Sequence, residues 1–140
     1  MDYELLDHEA DMGIRAYGTT IEELFRNGAK ALFSIMMDIE RVRTERSVKI
    51  LCEAPDTETL FIEWLNELLA QKDLEEMSFS EFEVKIYGEN ECYQLEGTAS
   101  GERFNRRKHR PKLEVKAATY SGLRKGRKNE KLFIECVVDV

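Results

Sequence analysis

A helical pattern runs through the stretch TIEELFRNGAKALFSIMM, from Thr20 to Met37. Its apolar side chains recur every three or four residues, which is the spacing of one face of an α-helix. Thr20 and Glu23 form a capping box, in which each side chain satisfies an orphan amide of the first helical turn. The stretch therefore predicts a helix over about 20–37 with one face turned toward a core.

A second helix and several strands surround this stretch. Pro55 and Asp56 are a helix start signal, and the apolar stripe that follows predicts a helix ending near Lys72. Apolar runs, mostly alternating as in half-buried strands, occupy 3–6, 12–17, 47–53, 82–86, 93–99, 113–120 and 131–139. The segment from Ser121 to Glu130 is rich in Gly, Lys and Arg and predicts a hairpin loop.

The order of these elements indicates the fold class. Two strands, a helix, a strand, a helix and four further strands predict an α+β domain. We expect a two-layer sandwich with one mixed or mostly antiparallel sheet of about 6–7 strands and two helices packed on one face. No linker or repeat divides the chain, so residues 1–140 are expected to form a single domain.

Composition excludes several classes of protein. The 140 residues are 42% hydrophobic, which is more than a disordered chain carries. No run of about 18 apolar residues could span a membrane, and the acidic start is unlike a signal peptide. The three cysteines are widely spaced without a CxxC pair, which argues against a zinc ribbon or a disulfide framework. We therefore expect a cytoplasmic protein whose cysteines pack as small apolar residues.

Charge is unevenly divided along the chain. Residues 1–100 hold nine basic and 23 acidic side chains, whereas residues 101–140 hold 12 basic and five acidic ones. All 12 of these bases lie between Arg103 and Lys131. The net charge of −7 argues against a protein that coats nucleic acid, but the basic segment permits a phosphate-bearing or acidic partner.

Two acidic stretches are candidate cation sites. The first is DHEAD, residues 7–11, whose carboxylates suit calcium or magnesium; His8 would also permit zinc or manganese. The commoner role of such acids is a solvated turn or a helix cap. The second is the end of the last strand, where the Asp139 carboxylate and the terminal carboxylate of Val140 repel each other unless a cation or basic group is near. A simply exposed strand end is the alternative.

The basic segment and one lysine are the other candidates. Lys116 lies in a strand pattern and projects either from the outer sheet face or into a site with carboxylates. No Walker A, GxGxxG, GxSxG or HExxH motif supports nucleotide hydrolysis or acyl transfer. The stretch from Arg103 to Lys116 is a plausible phosphate-contacting segment. A charge run of this kind is more often a solvated, mobile loop, but four of its side chains could contact phosphate. They are Arg106, Arg107, Lys108 and Arg110.

Six segments of the chain together resemble the archease family. Any one of them is a weak match, but the set is specific and follows the family's order along the whole chain. Glu9 stands where the family pattern usually has threonine, and Ser121 stands where it often has histidine. The segments are DHEADMGI (7–14), YGTTIEELF (17–25), WLNELL (64–69), GE (101–102), EVKAATY (114–120) and VDV (138–140).

The resemblance implies a small α+β accessory protein that is not an enzyme. It implies a divalent cation, described as calcium, with Asp11, Asp139 and Val140 as ligands, the last through main-chain or terminal oxygens. His8 and Lys116 would be accessory residues. Archeases promote guanylylation and repeated turnover of the GTP-dependent tRNA-splicing RNA ligase, and they are linked to a tRNA methyltransferase as a chaperone. These two enzymes are the implied partners.

Two alternatives stay open at the level of sequence. An RNA-binding module would use the basic segment 103–131, and its affinity for tRNA would fall steeply with salt because phosphate binding releases counterions. A metal-dependent hydrolase would use His8, Asp11 and Asp139. It ranks last because no activated nucleophile is present in the sequence patterns.

Overall fold

The structure is a computed structural model that describes residues 1–7 and 11–140. The described residues form eight strands, three α-helices and one 3₁₀ turn at Ile39–Arg41. The strands are β1 (Tyr3–Asp7), β2 (Met12–Gly18), β3 (Arg46–Ala54), β4 (Met77–Glu89), β5 (Cys92–Arg103), β6 (Ala117–Ala118), β7 (Arg124–Lys128) and β8 (Lys131–Asp139). The helices are α1 (Ile21–Met36), α2 (Thr57–Glu75) and α3 (Arg106–His109).

Both long helices begin where the sequence predicts. The Thr20 side chain accepts a hydrogen bond from the Glu23 N–H at 3.1 Å, and the Glu23 carboxylate reaches back to the Thr19 N–H at 3.2 Å. The Glu23 carboxylate thus accepts a hydrogen bond from the residue before the cap rather than from the N–H of Thr20 itself. Asp56 caps α2 by accepting from the Thr59 N–H at 2.7 Å. The bonds to the Glu23 and Thr59 N–H groups satisfy amides of the first helical turn, which have no partner within the helix.

The strands are antiparallel and divide into two sheets. One has the order β1-β2-β8-β6, with β7 also paired to β8, and the other has the order β3-β5-β4. The predicted α+β class with antiparallel pairing is confirmed. The strands do not join into the single sheet that we expected. The connection between β5 and β6, which we expected to contain a long strand, also differs from the prediction.

This connection pairs with the end of a helix instead of a strand. The Lys112 N–H donates to the Met36 carbonyl at 2.8 Å, and the Leu113 N–H donates to the Ile35 carbonyl at 3.2 Å. Both carbonyls belong to the last turn of α1, where helical carbonyls lack intrahelical partners. Residues 112 and 113 therefore cap a helix, and only Ala117–Ala118 of the predicted strand 113–120 lies in a sheet.

The predicted loop from Ser121 to Glu130 is also wrong, because β7 lies inside it. β7 and β8 form a hairpin whose two turn residues, Asn129 and Glu130, have φ of 51° and 66°. Positive φ at both central residues matches the right-handed twist of a two-residue hairpin. A strand made of Arg, Lys and Gly lacks the apolar alternation by which strands are recognised, but its charges suit the edge of a sheet.

The core is shared by both sheets and both long helices. α1 lies against β2 and β4, and α2 lies against β3, β5 and β6, so each helix contacts strands of both sheets. Gly28 allows the two helices to approach, since a Cβ there would lie 2.4 Å from the Phe61 ring. The largest fully buried side chains are Trp64, Phe25, Phe33, Phe61, Phe79, Ile14, Leu24, Leu32, Ile50, Leu60, Ile62 and Leu65.

We expected the three cysteines to pack as small apolar residues, and this holds for only some of them. Burial raises the pKa of the Cys136 thiol to about 12, and burial together with Glu63 and Glu67 raises that of Cys52 to about 12. Both thiols are therefore protonated at neutral pH. Cys92 differs because it is exposed at the β4–β5 hairpin.

Within residues 1–7 and 11–140, no helix is long and apolar enough to cross a membrane.

Candidate functional site

Three strand ends meet at one end of the five-stranded sheet. β1 ends at Asp7, which is the register partner of Met12 at the start of β2. Met12 is in turn the partner of Val138, near the end of β8. One further step along this antiparallel register would place Asp11 opposite Asp139. The two carboxylate residues that the sequence suggested separately therefore lie at the same sheet end, and both are exposed.

Lys116 joins the same sheet end through the short strand β6. Its backbone N–H donates to the Asp139 carbonyl at 2.8 Å, and Ala117 is the register partner of Asp139. Lys116 is exposed, and Val140, which follows Asp139, is half-buried. We call Asp11, Asp139, Val140 and Lys116 the acidic end. His8 and Glu9 lie outside the described residues, so the structure does not place them.

The donor chemistry of the acidic end fits a hard divalent cation. In the described part of the chain, neither Asp11 nor Asp139 forms a salt bridge. Like charges opposite each other on paired strands are destabilising, and a cation with oxygen ligands would offset that repulsion. Residues 1–7 and 11–140 contain no group of three or more His, Cys, Asp or Glu side chains placed to hold a metal. The predicted ligand set differs from such a group, because it combines only two carboxylate side chains, Asp11 and Asp139, with oxygens of Val140.

The basic segment is divided between two separate elements. Three of its exposed side chains, Arg106, Arg107 and Arg110, lie in or directly after α3. Lys108, between them, is half-buried and forms a salt bridge with Glu102 at 2.7 Å. The later bases lie on the β7–β8 hairpin, where Arg124 binds the Glu135 carboxylate at 3.0 Å. The four bases predicted to contact phosphate, Arg106, Arg107, Lys108 and Arg110, thus lie in or directly after α3, and their contact with phosphate stays a prediction.

A fully buried histidine anchors α3, which the charge run gave no reason to expect. His109 Nδ1 accepts from the Asn105 N–H at 3.0 Å, so the ring proton lies on Nε2 and is donated to Glu102 at 3.0 Å. The Ser78 hydroxyl, also fully buried, lies 3.1 Å from Nδ1. The His109 carbonyl accepts from the Asp38 N–H at 2.9 Å. The segment that resembled a mobile loop is thus fixed to β4 and to the 3₁₀ turn.

Glu102 is the acceptor at the centre of this anchor. Burial by itself raises the pKa of its carboxyl group, but three hydrogen bonds outweigh burial and lower the pKa to about 2 from 4.5. The donors are the Arg43 N–H, Lys108 Nζ and His109 Nε2. Because the pKa is depressed in the folded state, the stabilising contribution is complete above about pH 4.5 and is lost as the pH falls toward 2.

Replacing Glu102 by glutamine should therefore lower the stability mainly at neutral pH. Hydrogen bonds to a charged group contribute about 1.5–3 kcal/mol, so we expect the free energy of unfolding to fall by about 2 kcal/mol at pH 7. The deficit relative to the parent chain should shrink between pH 4.5 and 2. Urea unfolding across this range measures it, with Glu96→Gln, at an exposed glutamate, as control. A deficit that is the same at pH 7 and at pH 2.5 would contradict the assignment.

Comparison with known proteins gives the family. The family model described as "Archease protein family (MTH1598/TM1083)" matches residues 3–140. The chain belongs to the archease family. A Sulfurisphaera tokodaii archease is 38% identical over 138 residues, covering 99% of this chain and 98% of the relative. A Pyrococcus furiosus archease is 41% identical over 122 residues, covering 87% and 86%.

A solved structure shows the same archease fold. The solution structure of Methanobacterium thermoautotrophicum protein 1598 is 33% identical to this chain, with a TM-score of 0.87 and coverage of 99% of both chains. The resemblance inferred from six short segments is thereby confirmed across the whole chain. The ligand roles of Asp11, Asp139 and Val140, and the accessory roles of His8 and Lys116, stay predictions.

Proposed function

We propose that this archease is a cation-binding accessory protein of the cytoplasm that activates the GTP-dependent tRNA-splicing RNA ligase. In this proposal it promotes guanylylation of the ligase and repeated turnover without catalysing a reaction of its own. Family membership supports an accessory role in tRNA processing. The observation that carries the proposal is the register that brings Asp11 and Asp139 to one sheet end beside Lys116.

The proposed cation is calcium, held by the carboxylates of Asp11 and Asp139 and by main-chain or terminal oxygens of Val140. Oxygen donors of this kind are the ligands that calcium prefers. When bound, the cation would supply a fixed positive charge and offset the repulsion between the two carboxylates. His8 is an accessory candidate by its position in the sequence alone.

The chain's own residues give the acidic end a firm support. β8 brings Asp139 to the sheet end on a strand whose Ile134 and Val138 side chains are fully buried. β2 and β6 flank β8 on its two sides, so the strand is not an exposed edge at this point. The exposed Lys116 ammonium group can donate hydrogen bonds to a phosphate or carboxylate of the partner. A rigid, exposed sheet end of this kind suits insertion into the active-site cleft of another protein.

The alternative function is tRNA contact by the basic surface of α3. The observation that favours it is the anchoring of α3 by His109, which holds Arg106, Arg107 and Arg110 on a fixed element. On the β7–β8 hairpin, by comparison, two of the bases are paired with carboxylates, Arg124 with Glu135 and Lys125 with Glu58. A chaperone role toward a tRNA methyltransferase is a further proposal that rests on the family alone.

Two assays separate these functions. The RNA ligase is incubated with GTP and cleaved tRNA, with and without this chain at a substoichiometric concentration, and ligated products are counted per ligase molecule. We expect multiple turnover only when the chain is present; equal turnover without it would refute the proposal. Filter binding of tRNA at 50 and 200 mM salt tests the alternative, which predicts tight binding that falls steeply as salt rises.

A further inference from the structure

One asparagine of α2 binds both backbone polar groups of a residue in β6. Asn66 Oδ1 accepts from the Ala118 N–H at 2.8 Å, and Asn66 Nδ2 donates to the Ala118 carbonyl at 3.0 Å. β6 pairs with β8 on one side only, where Ala118 is the register partner of Val138. The side-chain amide therefore takes the place of a neighbouring strand on the free edge of β6.

β6 in turn holds the last residues of β8. The Lys116 N–H donates to the Asp139 carbonyl at 2.8 Å, and the Thr119 N–H donates to the Val137 carbonyl at 2.9 Å. A strand of two residues has too little pairing to be stable alone, so its position depends on the anchor at its other edge.

The anchor itself is firm because the neighbours of Asn66 in α2 are deeply buried. Trp64 and Leu65 precede it, Leu68 follows it, and all three are fully buried. The Trp64 Nε1–H also donates to the Phe25 carbonyl at 2.9 Å, which ties α2 to α1. Asn66 is half-buried, and its amide is the group that connects this rigid helix to β6.

We infer that Asn66 is a positioning residue for the acidic end: through Ala118 and β6 it fixes the main chain of Asp139. The inference deepens the proposed function and rests on it for the role of the acidic end. Outer residues that orient metal ligands commonly change metal affinity by about 10–100-fold when they are replaced. Asn66 acts in this way on the backbone of a proposed ligand rather than on its side chain.

Asn27 of α1 provides a matched control. Its Nδ2 donates to the Tyr17 carbonyl at 2.8 Å, so it also joins a helix to the main chain of the five-stranded sheet. Tyr17 pairs with Phe133 near the start of β8, at the end of the β2–β8 pair opposite to Met12 and Val138. Loss of the Asn27 bond should weaken the fold without moving the acidic end.

The test compares Asn66→Ala and Asn27→Ala in the full chain, each by two measurements. Amide hydrogen exchange is measured by NMR on calcium-free protein, and calcium alone is titrated by calorimetry. We expect Asn66→Ala to speed exchange at Lys116 and Thr119 selectively and to weaken calcium binding by about 10–100-fold. Asn27→Ala should leave the exchange at these two amides and the calcium affinity unchanged, apart from any uniform loss of protection.

If Asn66→Ala does not fold, Asn66→Asp replaces it. Aspartate keeps the acceptor for the Ala118 N–H but sets an oxygen against the Ala118 carbonyl.

Each outcome decides the inference. Unchanged exchange at Lys116 and Thr119 in the Asn66 variant would overturn it, as would an equal effect of the two variants. If the parent chain binds no calcium, the proposed function loses its cation, whereas the exchange comparison still decides whether Asn66 positions the end of β8.

Discussion

We expect calcium to stabilise the parent chain, and the Asp139→Asn variant to fold normally but to lack this stabilisation. A ligand at 100 times its dissociation constant stabilises the state that binds it by about 2.7 kcal/mol. If the substitution weakens binding 100-fold or more, the same calcium concentration stabilises the variant by at most about 0.4 kcal/mol. Thermal unfolding with and without calcium measures this difference. A loss of this size is the largest effect we expect from removing a single exposed charge.

Without calcium, the same substitution should change the stability in the opposite direction. Removing one of two like charges on neighbouring strands relieves repulsion, so we expect Asp139→Asn to be as stable as the parent chain or about 0.2–1 kcal/mol more stable. Glu53→Gln, at an exposed position on β3, is the control and should change neither quantity. A calcium-free variant that unfolds more easily, or one that calcium still stabilises fully, would contradict the proposed site.

The second large effect should come from Trp64→Ala. Trp64 is fully buried, packs edge-to-face against Phe82 with ring centroids 6.3 Å apart, and donates its indole N–H to the Phe25 carbonyl. Replacing a buried Phe or Trp by Ala costs about 3–5 kcal/mol, out of a total stability of about 5–15 kcal/mol for a typical protein. The reason is the cavity that remains between α2 and the three-stranded sheet, where the indole lies against Gly97.

Urea unfolding of three variants tests this prediction. Trp64→Phe fills most of the space and loses chiefly the indole hydrogen bond, so its cost should lie well below that of Trp64→Ala. Leu74→Ala lies on the same helix at a position that is 73% exposed, and it should change the free energy of unfolding by less than about 0.5 kcal/mol. Equal destabilisation by Trp64→Ala and Leu74→Ala would show that Trp64 is not part of the core.

The local patterns predict the helices well because helix signals are contained within a few residues. The cap at Thr20, the cap at Asp56 and the apolar stripes all act over one to five turns, and the structure has α1 and α2 where they indicate. The division into two sheets depends on partners that are distant in sequence. Whether residues 112 and 113 pair with a strand or cap α1 is decided by tertiary contacts, which periodicity does not contain.

The candidate site was predictable in its parts but not in its assembly. Asp11 and Asp139 carry chemistry that marks them separately, yet only the β2–β8 register brings them to one sheet end, and the family resemblance was needed to join them. Two supporting residues were missed. His109 stands in a run of bases, where burial has no local signal, and Asn66 acts through the backbone of a residue that is distant in sequence.

A comparison of ligase turnover decides whether the acidic end or the basic surface of α3 is the working surface. Ligated tRNA per ligase molecule is measured with the parent chain, with Asp11→Asn and with an Arg106→Ser/Arg107→Ser double variant, all at the same substoichiometric concentration and saturating calcium. We predict multiple turnover with the parent chain and with the arginine variant, and a single turnover with Asp11→Asn. Full turnover with a correctly folded Asp11→Asn chain, or its loss only in the arginine variant, would contradict the proposed function of the acidic end.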